Sequence, residues 1–524
     1  MSDNLAQLAE DALQRLGERR SLNFEGQWVT NAQTLGNARR LQTAFAELGV
    51  GKGDIVALCM VNHPLVYAVF QGVFRSGGAA VPVMFQLTEK ELQFVLEDTR
   101  AVGVVTDSFN QSKVFAACEG LDHDPWVVVL DPSGDLEGIE GARTLDSLLE
   151  RPESTSLPNI APEDLALLLY TSGTTGKPKG AMLSHRNLIA SARQSQQAAE
   201  VETIETPRRT ISAMPMAHIF GVGVMNGGYL APERLADGYM VQHVWFEPER
   251  FMAGIEEHRC QSMPAVPTML SLILNHPKVN DYDLSSLEEV VCGASPLPVE
   301  VAKTFMERYD CRVREIYGMT ESAGMGSANR SSDPFRPGSA GRPYDETEVR
   351  IVSTEDDAGH DALPAGESGE IVVRGPSVMM GYLNRPDATA ETIRDGWLHT
   401  GDVGYLDEDG FLFIVDRKKD MIIRGGENIY PAEIESTCYE HGAVAEAAVV
   451  GVPDPTYGEK VVAFVVRSPG ARLNEGELRS FLKSRMTKFK VPSEIEFLDA
   501  LPKSGVGKIL RRELRDVARE RYSG

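Results

Sequence analysis

Positive charge is the first thing this chain lacks. Its 524 residues carry 52 Lys and Arg against 76 Asp and Glu, a formal net charge of −24. That balance excludes a nucleic-acid partner held through its phosphate backbone. It still permits small anionic ligands, because lysines and arginines can gather in one pocket. Cysteine is scarce: six residues, at 59, 118, 260, 292, 311 and 438, with no Cys-x-x-Cys pair. Neither a zinc site nor a disulfide framework is indicated, and a reducing compartment fits best. No apolar run approaches the ~20 residues needed to cross a bilayer. The N-terminal Met1-Ser-Asp-Asn-Leu lacks the basic and apolar regions of a secretion signal. The expectation is a cytoplasmic protein with no integral membrane segment.

What is present is ordinary globular composition, 42% hydrophobic and 24% charged. A chain this long exceeds one comfortable core, so at least two domains are expected. Residues 1 to about 160 alternate helical and strand patterns. Leu35 to Leu48 reads as an amphipathic helix, Ile55 to Val61 as a buried strand and Pro64 to Phe74 as a helix. Ala79 to Met84, Gly103 to Thr106 and Trp126 to Leu130 read as further strands. Strands alternating with helices predict a covered, parallel sheet and an α/β fold. Around 131–159 proline, serine and glycine mark a loop-rich join. From Gly338 to Val373 short alternating segments predict antiparallel strands of a small barrel-like subdomain. Near the end, Ala447 to Val452 and Val461 to Val466 read as strands. A helix opened by the capping pair Asn474 and Glu477 buries Leu478, Phe481 and Leu482.

The most informative stretch is Tyr170-Thr-Ser-Gly-Thr-Thr-Gly-Lys-Pro-Lys-Gly180. The apolar run Leu165 to Leu169 before it reads as a buried strand, and Ser184 after it can cap a helix burying Leu188, Ile189 and Ala192. Between them, glycines let backbone N–H groups close on an anion, while hydroxyls and lysines add donors and charge. This is a way to grip a polyphosphate. It is not a Walker A loop: Gly173 and Gly176 are too close together, and Pro178 stands where a Ser or Thr would hold magnesium.

Further motifs follow in order. Met214-Pro-Met-Ala-His-Ile-Phe-Gly221 places His218 in an apolar segment, where a histidine is usually a hydrogen-bonded core residue. The glycines at 221, 223, 227 and 228 suit either a roomy pocket or tight turns. Leu287 to Leu297 is a strand running into Gly293-Ala294-Ser295, and Tyr317-Gly318-Met319-Thr320-Glu321 comes next. Here an aromatic face can cover a purine, a hydroxyl can meet phosphate, and a carboxylate can hold Mg²⁺. Asp402 closes the turn Gly396-Trp-Leu-His-Thr-Gly-Asp, and a carboxylate can grip the two hydroxyls of a ribose. Asp416-Arg-Lys-Lys-Asp-Met-Ile-Ile-Arg-Gly-Gly426 and Leu501-Pro-Lys-Ser-Gly-Val-Gly-Lys508 complete the series.

Together these stretches closely resemble the adenylate-forming superfamily, in its acyl-CoA synthetase branch, over essentially the whole chain. The resemblance implies a two-step ATP-dependent acid–thiol ligation through an acyl-adenylate. It implies a phosphate loop of Thr171, Ser172, Gly173, Thr174, Thr175, Gly176, Lys177 and Lys179, with Thr171 and Glu321 at Mg²⁺. Gly293, Ala294, Ser295, Tyr317, Gly318 and Met319 would lie along the nucleotide, Thr320 at its phosphate, and Asp402 and Arg417 at the ribose. His218 would gate the carboxylate site, although Ala217 stands where many relatives carry an aromatic. Lys508 would be the catalytic lysine and Lys419 the hinge, dividing the chain into domains 1–418 and 419–524. Gly425 and Gly426 would approach coenzyme A. By the resemblance, the fold is a large N-terminal domain of layered α/β sheets plus a small α+β C-terminal domain.

The acid is read from candidate lining residues His218, Gly223, Met263, Val266, Cys292, Gly293 and Met319. Apart from His218 they are apolar or small, with no Arg or Lys to pair a second carboxylate. The expectation is an apolar monocarboxylic acid, a medium or long fatty acid first and an aromatic acid second. Loading of a carrier-protein thiol is the alternative acceptor chemistry, for which only Thr144-Leu-Asp-Ser-Leu148 offers faint support. Luciferase-like oxidation of the adenylate finds no support in the residues. A non-catalytic binding protein is disfavoured with Lys508, Glu321, Asp402 and Arg417 all in place. A homo-oligomer is compatible with the sequence.

Overall fold

Short runs of valine, alanine and leucine bounded by glycine build the first sheet. Ile55–Cys59, Ala79–Pro82, Gly103–Asp107 and Trp126–Leu130 are parallel and almost wholly buried. The helices Pro64–Arg75 and Glu89–Thr99 cross between them, as the alternating pattern predicts. The structure, a computed structural model, describes residues 4–134, 136, 141–171, 178–354, 360–425, 427–503 and 507–522. Ser172, Gly173, Thr174, Thr175, Gly176, Lys177 and Gly426 lie outside the described residues.

The sheet then turns antiparallel. Leu165–Thr171 pairs with Lys179–Ser184, with Thr171 opposite Lys179, and Gly381–Tyr382 forms the far edge. The expected passage from loop directly into helix is therefore corrected: a second strand intervenes. Its Gly180, Ala181, Leu183 and Ser184 are all buried, so it shows no polar–apolar alternation for sequence reading to catch. Ser184 nonetheless caps the helix His185–Ala198, exchanging bonds with Asn187, and Leu188, Ile189 and Ala192 are buried as expected.

A second, nine-stranded sheet has a parallel centre of Tyr239–Gln242, Arg209–Ser212, Ser262–Ala265, Glu289–Cys292 and Arg312–Tyr317. The helices His185–Ala198 and Ile219–Tyr229 bring Leu188, Ile189, Val222 and Met225 into one core with Leu167 and Leu183 of the first sheet. The loop-rich join contains a short helix Leu145–Leu149. Thr144 caps it, and the Ser147 hydroxyl donates back to the Thr144 carbonyl at 2.7 Å. That segment is a capped helical turn, with local bonding that accounts for its hydroxyls.

The region after Gly338 forms the expected antiparallel sheet, from Glu348–Val352, Gly369–Arg374, Ile393–Arg394, Trp397–Leu406 and Leu412–Arg417. A smaller C-terminal domain follows, centred on the long pair Val444–Asp454 and Gly458–Arg467, with Glu494–Leu498 parallel beside them. Asn474 and Glu477 form their capping box, and Leu478 and Leu482 are buried. The last helix, Arg511–Tyr522, was not anticipated. Its charged sequence buries only Leu514 and Ala518. Leu514 and Ala518 pack with Val450, Val452 and Phe464, and ion pairs add to this, Arg511 to Glu435 at 2.6 Å and Arg515 to Asp420 at 2.8 Å. Among the described residues no helix is long and apolar enough to cross a membrane.

Gly341 joins the second sheet to the antiparallel one. It has φ +83°, and an added Cβ would stand 1.8 Å from the Ala328 carbonyl carbon. Backbone cannot yield as a side chain does. Gly341→Ala is therefore expected to cost about 3 kcal/mol or more, read as a lowered unfolding midpoint in a thermal or denaturant scan.

Candidate active site

Asp402 is 6% exposed, on the strand Trp397–Leu406. A carboxylate buried to that degree needs compensation, and two groups supply it. The Tyr317 hydroxyl donates to Oδ2 at 2.8 Å, and Arg417 Nε lies 3.1 Å from Oδ1. Arg417 reaches it because the two residues are register partners across the strands. Burial and the adjacent Asp402 charge push the Tyr317 hydroxyl well above the usual phenol range, so it stays a donor. The sequence motifs of Tyr317, Asp402 and Arg417 thus meet at one point.

A second cluster lies at the end of the 165–171 strand. Thr171 Oγ1 is 3.4 Å from Glu321 Oε1, and the Tyr382 hydroxyl donates to the same oxygen at 2.7 Å. Glu321 is buried in a single helical turn, Thr320–Ser322, and its backbone carbonyl accepts from Met379 N–H. Lys179 stands over the Tyr382 ring, 5.1 Å from its centroid. Tyr382 was missed in the sequence. It sits on a two-residue edge strand, and nothing local ties it to Glu321, 61 positions away.

Lys508 belongs to the small domain. Its neighbour Gly507 accepts a 2.9 Å hydrogen bond from Thr268 Oγ1 of the large domain. Burial, then the positive Arg417, lower the Lys508 ammonium to about 8, against the pull of Asp402. Lys419 is likewise lowered, by burial and then by Arg417. His218 caps the helix Ile219–Tyr229, its Nδ1 accepting from Phe220 N–H at 3.2 Å. Burial, aided by the Lys508 charge, lowers it to about 4. His218 is therefore neutral at pH 7 with its proton on Nε2, which can donate.

Gly293, Ala294 and Ser295 end the strand Glu289–Cys292, where Ala294 takes φ +72°. Gly425 lies in a small-domain turn at φ +62°, donating its N–H to the Tyr457 carbonyl. Glu315 is a further titratable group missed by sequence reading. Burial raises its carboxyl to about 8, so it is protonated at neutral pH.

Beside His218 a cavity of about 370 Å³ lies between the helix Ile219–Tyr229 and the second sheet. His218, Gly223 and Met263 line it as expected, and Val266, Cys292, Gly293 and Met319 do not. Cys292 is wholly buried in the sheet. The glycines divide by role. An added Cβ at Gly221 would strike the Pro215 carbonyl at 2.3 Å, while Gly223 and Gly228 face open space. The absence of basic residues is corrected: Arg19, Arg208 and Arg314 also line this cavity. Arg19 and Arg208 immediately precede strands and Arg314 lies within Arg312–Tyr317, all outside the quoted motifs.

With these parts in place, comparison decides the kinship. Residues 9–383 match the AMP-binding enzyme family and residues 433–508 match the AMP-binding enzyme C-terminal domain. The chain belongs to the AMP-binding enzyme family. It is 36% identical over 542 residues to a long-chain-fatty-acid–CoA ligase of Bacillus subtilis, covering 99% of this chain and 95% of that one. It is 38% identical over 492 residues to a feruloyl-CoA synthase of an Amycolatopsis species, covering 94% of each. The crystal structure of the anthranilate CoA ligase AuaEII in complex with anthranoyl-AMP superposes with a TM-score of 0.89, at 26% identity and complete coverage of both chains. The chain is thus an AMP-forming acid–thiol ligase of the adenylate-forming superfamily, with that superfamily's large and small domains.

Gly318 shows how tightly the Tyr317 turn is built. An added Cβ would lie 2.0 Å from the Gly324 carbonyl oxygen. Gly318→Ala is expected to push the 319–324 turn outward and cost about 1–3 kcal/mol. Denaturant titration beside the wild type checks this.

Proposed function

We propose that the chain joins a carboxylic acid to coenzyme A in two steps at the Asp402–Lys508–His218 cluster. The observation that carries this reading is the arrival of Lys508, from the small domain, beside Asp402, Arg417 and His218 of the large one. In the first step a carboxylate oxygen of the acid bonds to the α-phosphorus of ATP. The bridging α–β bond breaks, and pyrophosphate leaves. In the second the thiol sulfur bonds to the acyl carbon, the acyl–oxygen bond to AMP breaks, and the thiol proton is released.

The first step brings one anion onto another, so positioning and charge compensation dominate. Lys508 supplies a compact ammonium that can follow charge between the carboxylate and the α-phosphate. Neutral His218 offers an Nε2–H without repelling Lys508. Asp402 and Arg417 hold the ribose, Tyr317 covers the adenine with Gly293, Ala294, Ser295, Gly318 and Met319 beside it, and Thr320 meets phosphate. Residues 171–179 take the departing phosphates. Thr171 and Glu321 present the hard oxygen donors that Mg²⁺ prefers, and the ion would supply charge neutralisation on the phosphates. The acid body is apolar, in keeping with the cavity walls. A medium or long aliphatic chain is the first reading, and the feruloyl and anthranilate relatives favour an aryl acid as the second.

Pyrophosphate release with MgATP and a panel of aliphatic and aromatic acids, with and without coenzyme A, tests this. Release is expected to require one acid class, to yield its CoA thioester, and to fall at least 100-fold in Lys508→Ala. Release with no thioester would refute the coenzyme A step. Because kcat/KM reports the free enzyme, it should fall about tenfold per pH unit above pH 8, as Lys508 loses its proton.

For the thiol to reach the acyl carbon, Lys508 must withdraw, which requires the small domain to turn about a junction. We place that junction at Lys419, dividing 1–418 from 419–524, with Gly425 and Gly426 turning toward the thiol. Backbone torsion changes concentrate at such junctions. Lys419→Pro should spare pyrophosphate release and lower thioester formation at least tenfold. Equal loss in both half-reactions would overturn the assignment.

A further inference from the structure

The cavity wall changes character along its length. In the second sheet Thr210, Ser262 and Glu289 are register partners across parallel strands, so they point to one face. Pro264 and Val291, further along two of those strands, line the cavity with them, as does Ile316 of the adjoining strand Arg312–Tyr317. The face is apolar toward the strand ends that carry Gly293 and Tyr317, and polar at the strand beginnings. A parallel sheet covered on both faces is ordinarily apolar throughout. This row is an exception.

Its polar groups are not all consumed by one another. Glu289 is: it accepts from Arg314 at 2.6 and 3.2 Å and from Ser331 at 3.0 Å. Arg314 spends its remaining donors on the Asn329 and Ala198 carbonyls. Arg208 is left with Glu288 and Glu289 each at 3.6 Å, beyond hydrogen-bonding distance. Arg19 donates to the Ala236 and Gly238 carbonyls at 2.5 and 2.6 Å. Its Nε is buried and has no hydrogen-bond partner among the described residues. Thr210 and Ser262 hydroxyls lie 2.7 Å apart. One donates to the other, so the accepting hydroxyl keeps its own O–H to give. Arg208 and one of these hydroxyls thus have hydrogen bonds still to give.

Their place in the cavity is fixed by the helix Ile219–Tyr229. His218 caps its first turn, and Gly223, Val224, Gly227 and Gly228 line the cavity along it. Eleven residues extend about 16 Å at 1.5 Å per residue. Arg19 and Arg208 both adjoin 236–238, the segment just beyond the helix's far end. Arg19 bonds there, and Arg208 passes behind Gly238, whose Cβ would meet its carbonyl at 2.7 Å. The donors stand at the end opposite His218.

We infer that this end of the cavity is an oxygen-recognising subsite, and that the acid carries an acceptor oxygen at the end remote from its reacting carboxylate. Arg208 is the specificity residue, assisted by the Thr210–Ser262 hydroxyl pair. The ligand class is an acid with an apolar middle and a terminal hydroxyl or second carboxylate. A plain alkyl end would leave Arg208, ion-paired but without a close hydrogen bond, and the spare hydroxyl with bonds still to give, which a binding site penalises more than a missing methylene. The inference rests on the assignment of this cavity to the acid.

The test measures thioester formation by the full chain with three series of matched length: plain alkanoic, ω-hydroxy and ω-carboxy acids. At the best length an oxygenated acid is expected to exceed the plain one at least tenfold in kcat/KM. Arg208→Met should erase that preference from both sides, raising KM for the oxygenated acid and lowering it for the plain series, with kcat for the oxygenated acid changed by less than about threefold. Arg208→Lys should retain part of it. Thr210→Val, which keeps shape and removes a hydroxyl, should weaken the preference in the same direction and stands in if Arg208→Met does not fold. Whichever oxygenated series wins identifies the terminal group. Plain acids matching or exceeding oxygenated ones at every length would overturn the inference alone. So would equal losses in all series for Arg208→Met. Failure of every acid would overturn the cavity assignment and the inference together.

Discussion

The site depends on the compensation of one buried carboxylate. Asp402 has lost its water and recovers its stability from the Tyr317 hydroxyl and the Arg417 guanidinium. Those two groups come from different sheets, so meeting at Asp402 fixes the second sheet against the antiparallel one. The same charge attracts the Lys508 ammonium, which the small domain brings to a place where Arg417, Arg511 and Lys419 repel it. A lysine so placed sits near its own titration point. It is a cation held where cations are disfavoured.

The second sheet shows how one layer can serve two chemistries. Its parallel strands end at the Gly293–Ser295 turn and Tyr317, where backbone and aromatic groups are presented to the cluster. Its strand beginnings carry arginines and hydroxyls under the helix Ile219–Tyr229. A bundle of parallel strands has distinct ends by construction. The distance between them sets the length of what lies along the face.

Much of this was legible from residues alone, because the motif side chains act close to their own turns. The Asp402 and Glu321 clusters bring together the residues that the resemblance singled out, and their functional roles remain proposals that rest on that geometry. The strand 179–184 escaped because burial on nearly every position erases alternation. The helix Arg511–Tyr522 escaped because its apolar stripe, Leu514, Val517, Ala518 and Tyr522, is narrow and set among many charges. Tyr382 and the cavity arginines escaped for a third reason: they reach the site through long-range pairing, and single residues on short strands leave no local signature. Cys292 illustrates the converse, a residue near a motif whose side chain turns into the sheet.

The Thr268–Gly507 hydrogen bond has a thermodynamic consequence. Tethered domains meet at high effective concentration, so docking of the small domain needs little contact energy to be populated. One such bond is worth about 1 kcal/mol net, roughly a fivefold change in a two-state ratio. It is one of several links between the domains, among them the Ala432 N–H donated to Asp416 Oδ2 at 2.9 Å, so losing it alone shifts the ratio without deciding it.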